Sequence, residues 1–342
     1  MDYEKRVEKV RAFLKKKKGD CFITFNSSNI FYLTGLLDIE GWLVISEKEI
    51  DLFVPELYFY ESLDNPGYNK IKIHIYKRKK IFPFLENYKK ILFINSEISY
   101  LLWLQISKVL KEKFTPVENF ILEMRAVKEK EEIQLIEKAK EIAEKTLKEI
   151  KRLIDKRKNL TELDLVSEIK YKLIKNGARK ESFEPIVASG VHSSYPHHKS
   201  KNKAIKKGEV IVIDMGADFC GYKSDLTATF FYGEISDEIK KIYNIVKDVQ
   251  KYCIEFVLEN AGNKKIKGKQ VHKKAVEIFK KYKLEKYFIH GLGHGIGIDV
   301  HEKPQLSPGS KDIIEKGNVF TIEPGLYFHN KFGIRIENML TL

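Results

Sequence analysis

From Gly291 to Gly297 every second residue is glycine, within the stretch IHGLGHGIGIDVHEKP at 289–304. A helix does not tolerate that density, because each glycine costs about 1 kcal/mol relative to alanine in a helix interior. Extended backbone is what remains. Its glycine side admits a second backbone or a ligand at close range. Along one straight strand its other side presents His294 and Glu302, while His301 faces the opposite way. His294 and His301 can therefore serve one site only if the chain bends between them, and the glycines make such a bend possible.

The same spacing excludes several phosphate and metal templates. A dinucleotide loop needs G-x-G-x-x-G, yet no glycine stands three positions after Gly293 or Gly295, and no Gly-Lys-Ser/Thr follows. His290 and His294 are four apart, but the intervening GLG opposes helix and carries no Glu, so a zincin helix is excluded too. His290 reads as structural. A lone histidine at 294 would more often be structural, so its partners decide its role.

Two partners stand in VIVIDMGADFCGYKSDLTATFF, residues 210–231, which reads as strand, tight turn and strand. With Phe219 and Cys220 as the turn, Asp214 falls directly opposite Asp225, with Cβ atoms about 5 Å apart. A carboxylate inside VIVIDMG is costly without a partner, and two facing carboxylates repel. A bound cation resolves both problems. Acceptance of turn N–H bonds explains Asp225 poorly and Asp214 hardly at all.

The segment VFTIEPGLYFHNKFGIRIENML, 319–340, repeats the device. Glu323 and Glu337 flank a hairpin centred on Asn330, with Pro324–Gly325 bending its first strand. Glu337 alternates with Ile334 and Ile336, as an inward-pointing carboxylate requires. Arg335 shares its face and can hold either a neighbouring carboxylate or one on a substrate. Four carboxylates and one imidazole suit a pair of divalent ions of the Mn, Co or Fe type, with Zn possible. Two ions about 3.5–4 Å apart can share and activate one water.

Length and charge set the frame around this site. At 342 residues the chain predicts two domains. The net charge of +14 would suit a phosphate-bearing partner. However, the basic runs at 15–18, 77–80, 199–207 and 263–274 are scattered, poor in Arg and lack interleaved aromatics. No nucleic-acid partner is expected. Cys21, Cys220 and Cys253 are odd in number and far apart, so no disulfide framework is indicated. No stretch approaches eighteen apolar residues, and the N-terminus lacks an apolar signal core. A cytoplasmic location with no membrane partner is the expectation.

Along the chain, Val7, Val10 and Leu14 mark a first helix, and CFITFNSSNIFYLTGL reads as β-rich segments about a polar turn. GWLVISEKEIDLFV reads as a hairpin, KIKIHIYK and KKILFINSE as strands, and Pro116 as an interruption. From 125 to 154 the pattern predicts one long amphipathic helix. A second follows with Thr161 as N-cap and Gly177 as stop, and two more lie near 236–260 and 267–282. The predicted domains are 1–122 and 123–342.

Asp214, Asp225, His294, Glu323 and Glu337, in this order and spacing, resemble the five-ligand site of the pita-bread metallopeptidases. That family includes methionine aminopeptidases, Xaa-Pro aminopeptidases, Xaa-Pro dipeptidases (prolidases) and creatinases. GHGIGIDVHEKP and TIEPG resemble its signature segments, and SGVHSSYPHH resembles the segment bearing its upstream histidine. The likeness covers about 124–342, and the preceding residues resemble more faintly the creatinase-type N-terminal domain.

The resemblance implies an α/β (α+β) chain: a pita-bread domain whose curved antiparallel sheet is covered by helices, and a smaller mixed α/β domain before it. It also implies that His197 and His301 contact the scissile carbonyl and steady its oxyanion, and that Glu323 manages the proton. Hydrolysis of the N-terminal Xaa-Pro bond of dipeptides or short peptides follows, in a homodimer. Methionine-aminopeptidase-like or creatinase-like hydrolysis, and a non-enzymatic binding protein, are the alternatives on this fold. Arg335 matches a family position for substrate binding. Gln305 stands where some prolidases place Arg, which departs from a strict dipeptidase pattern.

Overall fold

The computed structural model describes residues 1–64, 67–157, 159–261 and 265–342. The basic run at 263–274 therefore begins outside the described residues. The chain divides into two compact units, Met1–Met124 and Arg125–Leu342.

The first unit begins with α1 (Tyr3–Lys17), which buries Val7, Val10 and Leu14 as its spacing predicts. Next come β1 (Cys21–Thr24), α2 (Ser27–Thr34), β2 (Trp42–Ser46), β3 (Ile50–Val54) and α3 (Glu56–Asp64). The unit continues through β4 (Lys72–Ile75), α4 (Arg78–Glu86), β5 (Ile91–Ile94), α5 (Tyr100–Leu110) and β6 (Phe114–Val117). One six-stranded mixed sheet runs in the order β4-β3-β2-β1-β5-β6.

Two readings of this unit are corrected. NIFYLTG forms helix α2, because the Asn26 side chain caps the N–H of Asn29 and Gly35 closes the helix at φ 79°. Its aromatic and β-branched residues reflect burial of almost the whole helix, which mimics strand composition. Pro116 does not interrupt a strand; it lies in β6, an edge strand, where a missing N–H is tolerated.

Beyond α6 (Phe120–Ala126) the second unit carries α7 (Lys130–Lys156) and α8 (Glu162–Lys175). The helix expected from 125 thus starts at Lys130. There Glu129 and Glu132 form a reciprocal cap that restarts the backbone. Thr161 caps α8 as expected.

The strands that follow are β7 (Lys180–Glu181), β8 (Ile186–Ser189), β9 (Glu209–Met215), β10 (Ala217–Phe219), β11 (Tyr222–Lys223) and β12 (Leu226–Tyr232). Helices α9 (Asp237–Asn260) and α10 (Gly268–Lys281) flank the short β13 (Ile266–Lys267). The last elements are β14 (Gly293–Gly295), β15 (Glu302–Leu306), β16 (Ile313–Ile314), β17 (Val319–Ile322), β18 (Gly325–Phe328), β19 (Phe332–Arg335) and β20 (Asn338–Thr341).

Two antiparallel arrays dominate this unit, β12-β9-β8 and β15-β14-β17-β20, beside the β18-β19 ribbon. The apolar core draws Val246, Val249 and Val257 from α9, Val271 and Phe279 from α10, and Phe320 and Ile334 from the strands. The helices thus cover one side of the sheets and leave polar strand residues for the other. Among the described residues, no helix is long and apolar enough to cross a membrane.

Candidate metal centre

The β9–β12 hairpin departs from the expected register. Its turn is Cys220–Gly221, both at positive φ (51° and 84°), so Asp214 pairs with Thr227. Two central residues at positive φ match the twist of the strands, and glycine adopts that geometry freely. The displacement is two residues, so parity is kept and Asp225 remains on the face of Asp214, diagonal rather than opposite.

The C-terminal hairpin has the expected register: Gly325 pairs with Arg335, and β17 with β20 continues the same frame. Pro324 breaks the ladder between β17 and β18. At that break Glu323 donates its backbone N–H to Leu292 O (2.8 Å) and Glu337 donates to Thr227 O (2.9 Å). The backbone is thereby tied to neighbouring strands on either side of the two carboxylates.

The glycine stretch becomes β14, wedged between β15 and β17. A Cβ on Gly293 would lie 2.0 Å from Thr321 O, and one on Gly295 would lie 2.0 Å from Lys303 O. Close backbone approach is therefore why these positions carry no side chain. The chain reverses after β14, which brings the His294 and His301 rings to 4.2 Å between centroids.

Asp214, Asp225, His294, Glu323, Glu337, Arg335, His197 and His301 all line one cavity of about 500 Å³. Phe183, Ile186, Pro196 and Val300 form its apolar wall, with His290, Gln305 and Ser307 beside them. Tyr195 and Tyr327 are not among the lining residues; Tyr327 is buried.

The geometry fits a cation. Asp214 Oδ1, Asp225 Oδ1 and Glu337 Oε1 are buried without any hydrogen-bond partner. His294 Nε2 lies 3.6 Å from Asp225 Oδ2 and 3.5 Å from Glu323 Oε1. Those separations exceed a hydrogen bond and match the roughly 3.4 Å between two donors that share one ion at about 2.1 Å. The other ring nitrogen, Nδ1, is 3.1 Å from Gly295 O, which leaves Nε2 free of a proton toward the carboxylates.

Electrostatics agree. Burial, then repulsion from the other carboxylates, raises Asp225 and Glu337 well above their ordinary range. Burial lifts Glu323 to about 7. Burial, with His301 adding to it, lowers His294 to about 4 and keeps it neutral, as a metal ligand must be.

Of the two roles open to Arg335, its contacts serve the protein's own carboxylate. The guanidinium donates to Asp214 Oδ2 (2.5 Å), Tyr327 Oη (2.9 Å), Thr227 Oγ1 (3.1 Å) and Pro196 O (3.2 Å), and the residue is 4% exposed. Tyr327 in turn contacts His290 Nε2 at 3.0 Å. His290, read as structural, thus also faces the cavity.

Glu162 went unnoticed in the sequence. It is fully buried and faces His192 and His198 at 2.9 and 3.0 Å, with five hydrogen bonds to its two oxygens. These are hydrogen-bond separations, too short for ligands spread around an ion, so this second Glu–His cluster is satisfied as it stands. An acidic residue just after a capping threonine is ordinary, and nothing in the sequence marked it.

Residues 134–342 match metallopeptidase family M24, and residues 6–127 match the creatinase/prolidase N-terminal domain. An Xaa-Pro dipeptidase of Pyrococcus furiosus is 33% identical, covering 99% of this chain and 95% of the relative. A putative Xaa-Pro aminopeptidase of Mycoplasma genitalium is also 33% identical, covering 99% and 94%. The solved prolidase of Pyrococcus horikoshii superimposes with a TM-score of 0.90 at 32% identity, over 99% of this chain and 95% of that one. The X-Pro aminopeptidase of Thermotoga maritima gives 0.85 at 30% identity, over 98% and 95%.

Proposed function

Because this chain belongs to metallopeptidase family M24, with the pita-bread fold and a creatinase-type N-terminal domain, we propose that it hydrolyses the N-terminal Xaa-Pro bond of dipeptides or short peptides. The observation that carries this reading is the cluster of buried, partnerless carboxylate oxygens around His294. Asp214, Asp225, His294, Glu323 and Glu337 would hold two divalent ions of the Mn, Co or Fe type, with Zn also suitable. Such ions supply a water of lowered pKa and Lewis-acid polarisation of the carbonyl.

The remaining steps fall to the chain itself. Glu323, pushed to about 7 by burial, is poised to take a proton from the attacking water and return it to the leaving nitrogen. His197 and His301, both exposed on the cavity lining, would donate to the carbonyl oxygen as it gains charge. Proline's tertiary amide lacks an N–H and fixes φ, so a dedicated site is needed to cleave before it. The apolar wall of Phe183, Ile186 and Val300 offers one.

The commitment of Arg335 to Asp214 leaves it occupied, and Gln305 donates to Glu302 O at 2.7 Å. This supports peptides longer than two residues, whose carboxylate lies outside the cavity. With the reading goes a homodimer acting in the cytoplasm; light scattering that returns a monomer mass would remove the dimer.

The test is hydrolysis of Ala-Pro and Ala-Pro-Ala by protein loaded with Mn²⁺ or Co²⁺. Metal-dependent release of alanine is expected, faster from the tripeptide. No release from either would sink the peptidase reading, and cleavage of Ala-Pro alone would make it a dipeptidase. Glu323→Gln should abolish turnover with the fold intact; retained turnover would remove Glu323 from its role.

A further inference from the structure

The loop joining β8 to β9 carries three histidines, and they face different ways. His197 lines the cavity, with an exposed side chain and, among the described residues, no hydrogen bond from its ring. His192 and His198 turn inward, their rings tilted by 32° with centroids 4.3 Å apart.

Both converge on one carboxylate. Glu162 Oε1 accepts from Ser189 N (2.8 Å), Ser189 Oγ (2.9 Å) and His192 Nδ1 (2.9 Å). Glu162 Oε2 accepts from His198 Nε2 (3.0 Å) and Lys201 N (3.0 Å). The donors span 189 to 201, on both sides of His197. Pro196 O, just before it, is held by Arg335 at 3.2 Å, the same guanidinium that grips Asp214.

We propose that Glu162 is a positioning residue for His197: a buried carboxylate, anchored at the start of α8, that folds the 189–201 loop so that His197, alone of its three histidines, faces the cavity. Pro196 and His197 are the central residues of a turn closed by His198 N donating to Tyr195 O (3.2 Å), so seating the His198 ring on Glu162 fixes the turn that presents His197 to the cavity. Burial opposes the charge on Glu162, but the hydrogen bonds from His198, Lys201, Ser189 and His192 outweigh it and hold the carboxyl below its ordinary range. The anion persists, and with it the loop. This role rests on the peptidase reading for its effect on turnover, and on geometry alone for its effect on the loop.

The experiment is a cycle of Glu162→Gln, His197→Ala and the double variant, assayed on Ala-Pro-Ala with metal bound. The glutamine keeps the shape but sets an NH₂ group against N–H donors. Glu162→Gln should lower kcat on the order of 10²-fold, the cost of an ångström-scale misplacement, with metal content and KM little changed. In the His197→Ala background it should cost almost nothing further. Losses that multiply in the double variant would overturn the proposal, as would a well-folded Glu162→Gln protein with full activity.

If that variant fails to fold, His198→Gln, which disturbs a single donor, carries the same expectation at smaller size. A crystal structure of either variant adds an arm independent of activity. Displacement of 189–201 with the five carboxylate and imidazole side chains unmoved is expected; an unmoved loop would refute the role. Wild-type protein inactive on every Xaa-Pro peptide would instead count against the proposed function.

Discussion

Two buried carboxylate clusters lie on either side of one histidine, and they are built in opposite ways. On one side of His301, Asp214, Asp225, Glu323 and Glu337 line one cavity with His294; Asp214, Asp225 and Glu337 carry partnerless oxygens, and burial raises Asp225, Glu323 and Glu337 above their ordinary range. On the other, Glu302 is just as buried, yet Arg125 and Lys128 both reach it and Asp299 N donates to it at 2.9 Å. Burial alone would raise Glu302, but those cations bring it down to about 2. The contrast teaches that burial does not identify a metal site. What does is a set of carboxylates whose negative charge the chain compensates only in part, through the Arg335 guanidinium on Asp214.

Removing one charge from each cluster should therefore have opposite effects on the metal-free fold. Asp225→Asn relieves repulsion from Glu337, Asp214 and Glu323, so the protein in EDTA should melt no lower than wild type. The same variant should lose metal and on the order of 10³-fold or more in kcat/KM, as when one member of a catalytic unit is removed. Calorimetry with metal analysis measures both. A variant that binds metal normally, or melts well below wild type without it, would erase the distinction.

Glu302→Gln is the mirror case. It takes the buried carboxylate from Lys128 and leaves Arg125 on Asp299 (2.6 Å), and should cost about 3–5 kcal/mol in denaturant unfolding, with or without metal. A loss within about 1 kcal/mol, typical of exposed pairs, would mean that solvent relaxes this cluster and the contrast is weaker than its geometry. The pair Lys151–Asp155 on α7, exposed on both sides, supplies that exposed standard.

Much of the uncompensated cluster was legible in the chain, and little of the compensated one. An Asp inside VIVIDMG and a Glu inside GIRIENM violate strand patterning, and such violations stand out. Parity kept Asp225 on the face of Asp214 even though the turn lies one residue later than expected and Asp214 pairs with Thr227 instead. The choice of Cys220–Gly221 depends on backbone angles that the side-chain alternation does not encode.

Glu162 and Glu302 break no local rule. Their donors stand 27 to 39 positions away for Glu162 and 174 to 177 for the cations on Glu302. Pairing at such range exists only once the fold has formed. Helix α2 was missed for a related reason: burial selects the same aromatic and branched residues in a helix as in a strand, and the capping Asn26 was the clue that told them apart.

The pH dependence of stability separates the clusters by sign. Glu323 has its folded pKa lifted from 4.5 to about 7, so its contribution is full below the unfolded value and is lost as pH rises through about 7. Asp225 and Glu337 shift in the same direction. Glu302 shifts the other way: its contribution is present above 4.5 and is lost only as pH falls through about 2. Between these limits only the cavity cluster titrates of the two. Metal-free protein should thus lose melting temperature from about pH 5 to about pH 8, and saturating Mn²⁺ should reverse that slope, because ions bind the deprotonated groups. Scanning calorimetry in EDTA and in Mn²⁺ reads both curves. A flat EDTA curve would show that the four carboxylates already share compensation within the protein, and the uncompensated charge that distinguishes this cluster from Glu302 would be gone.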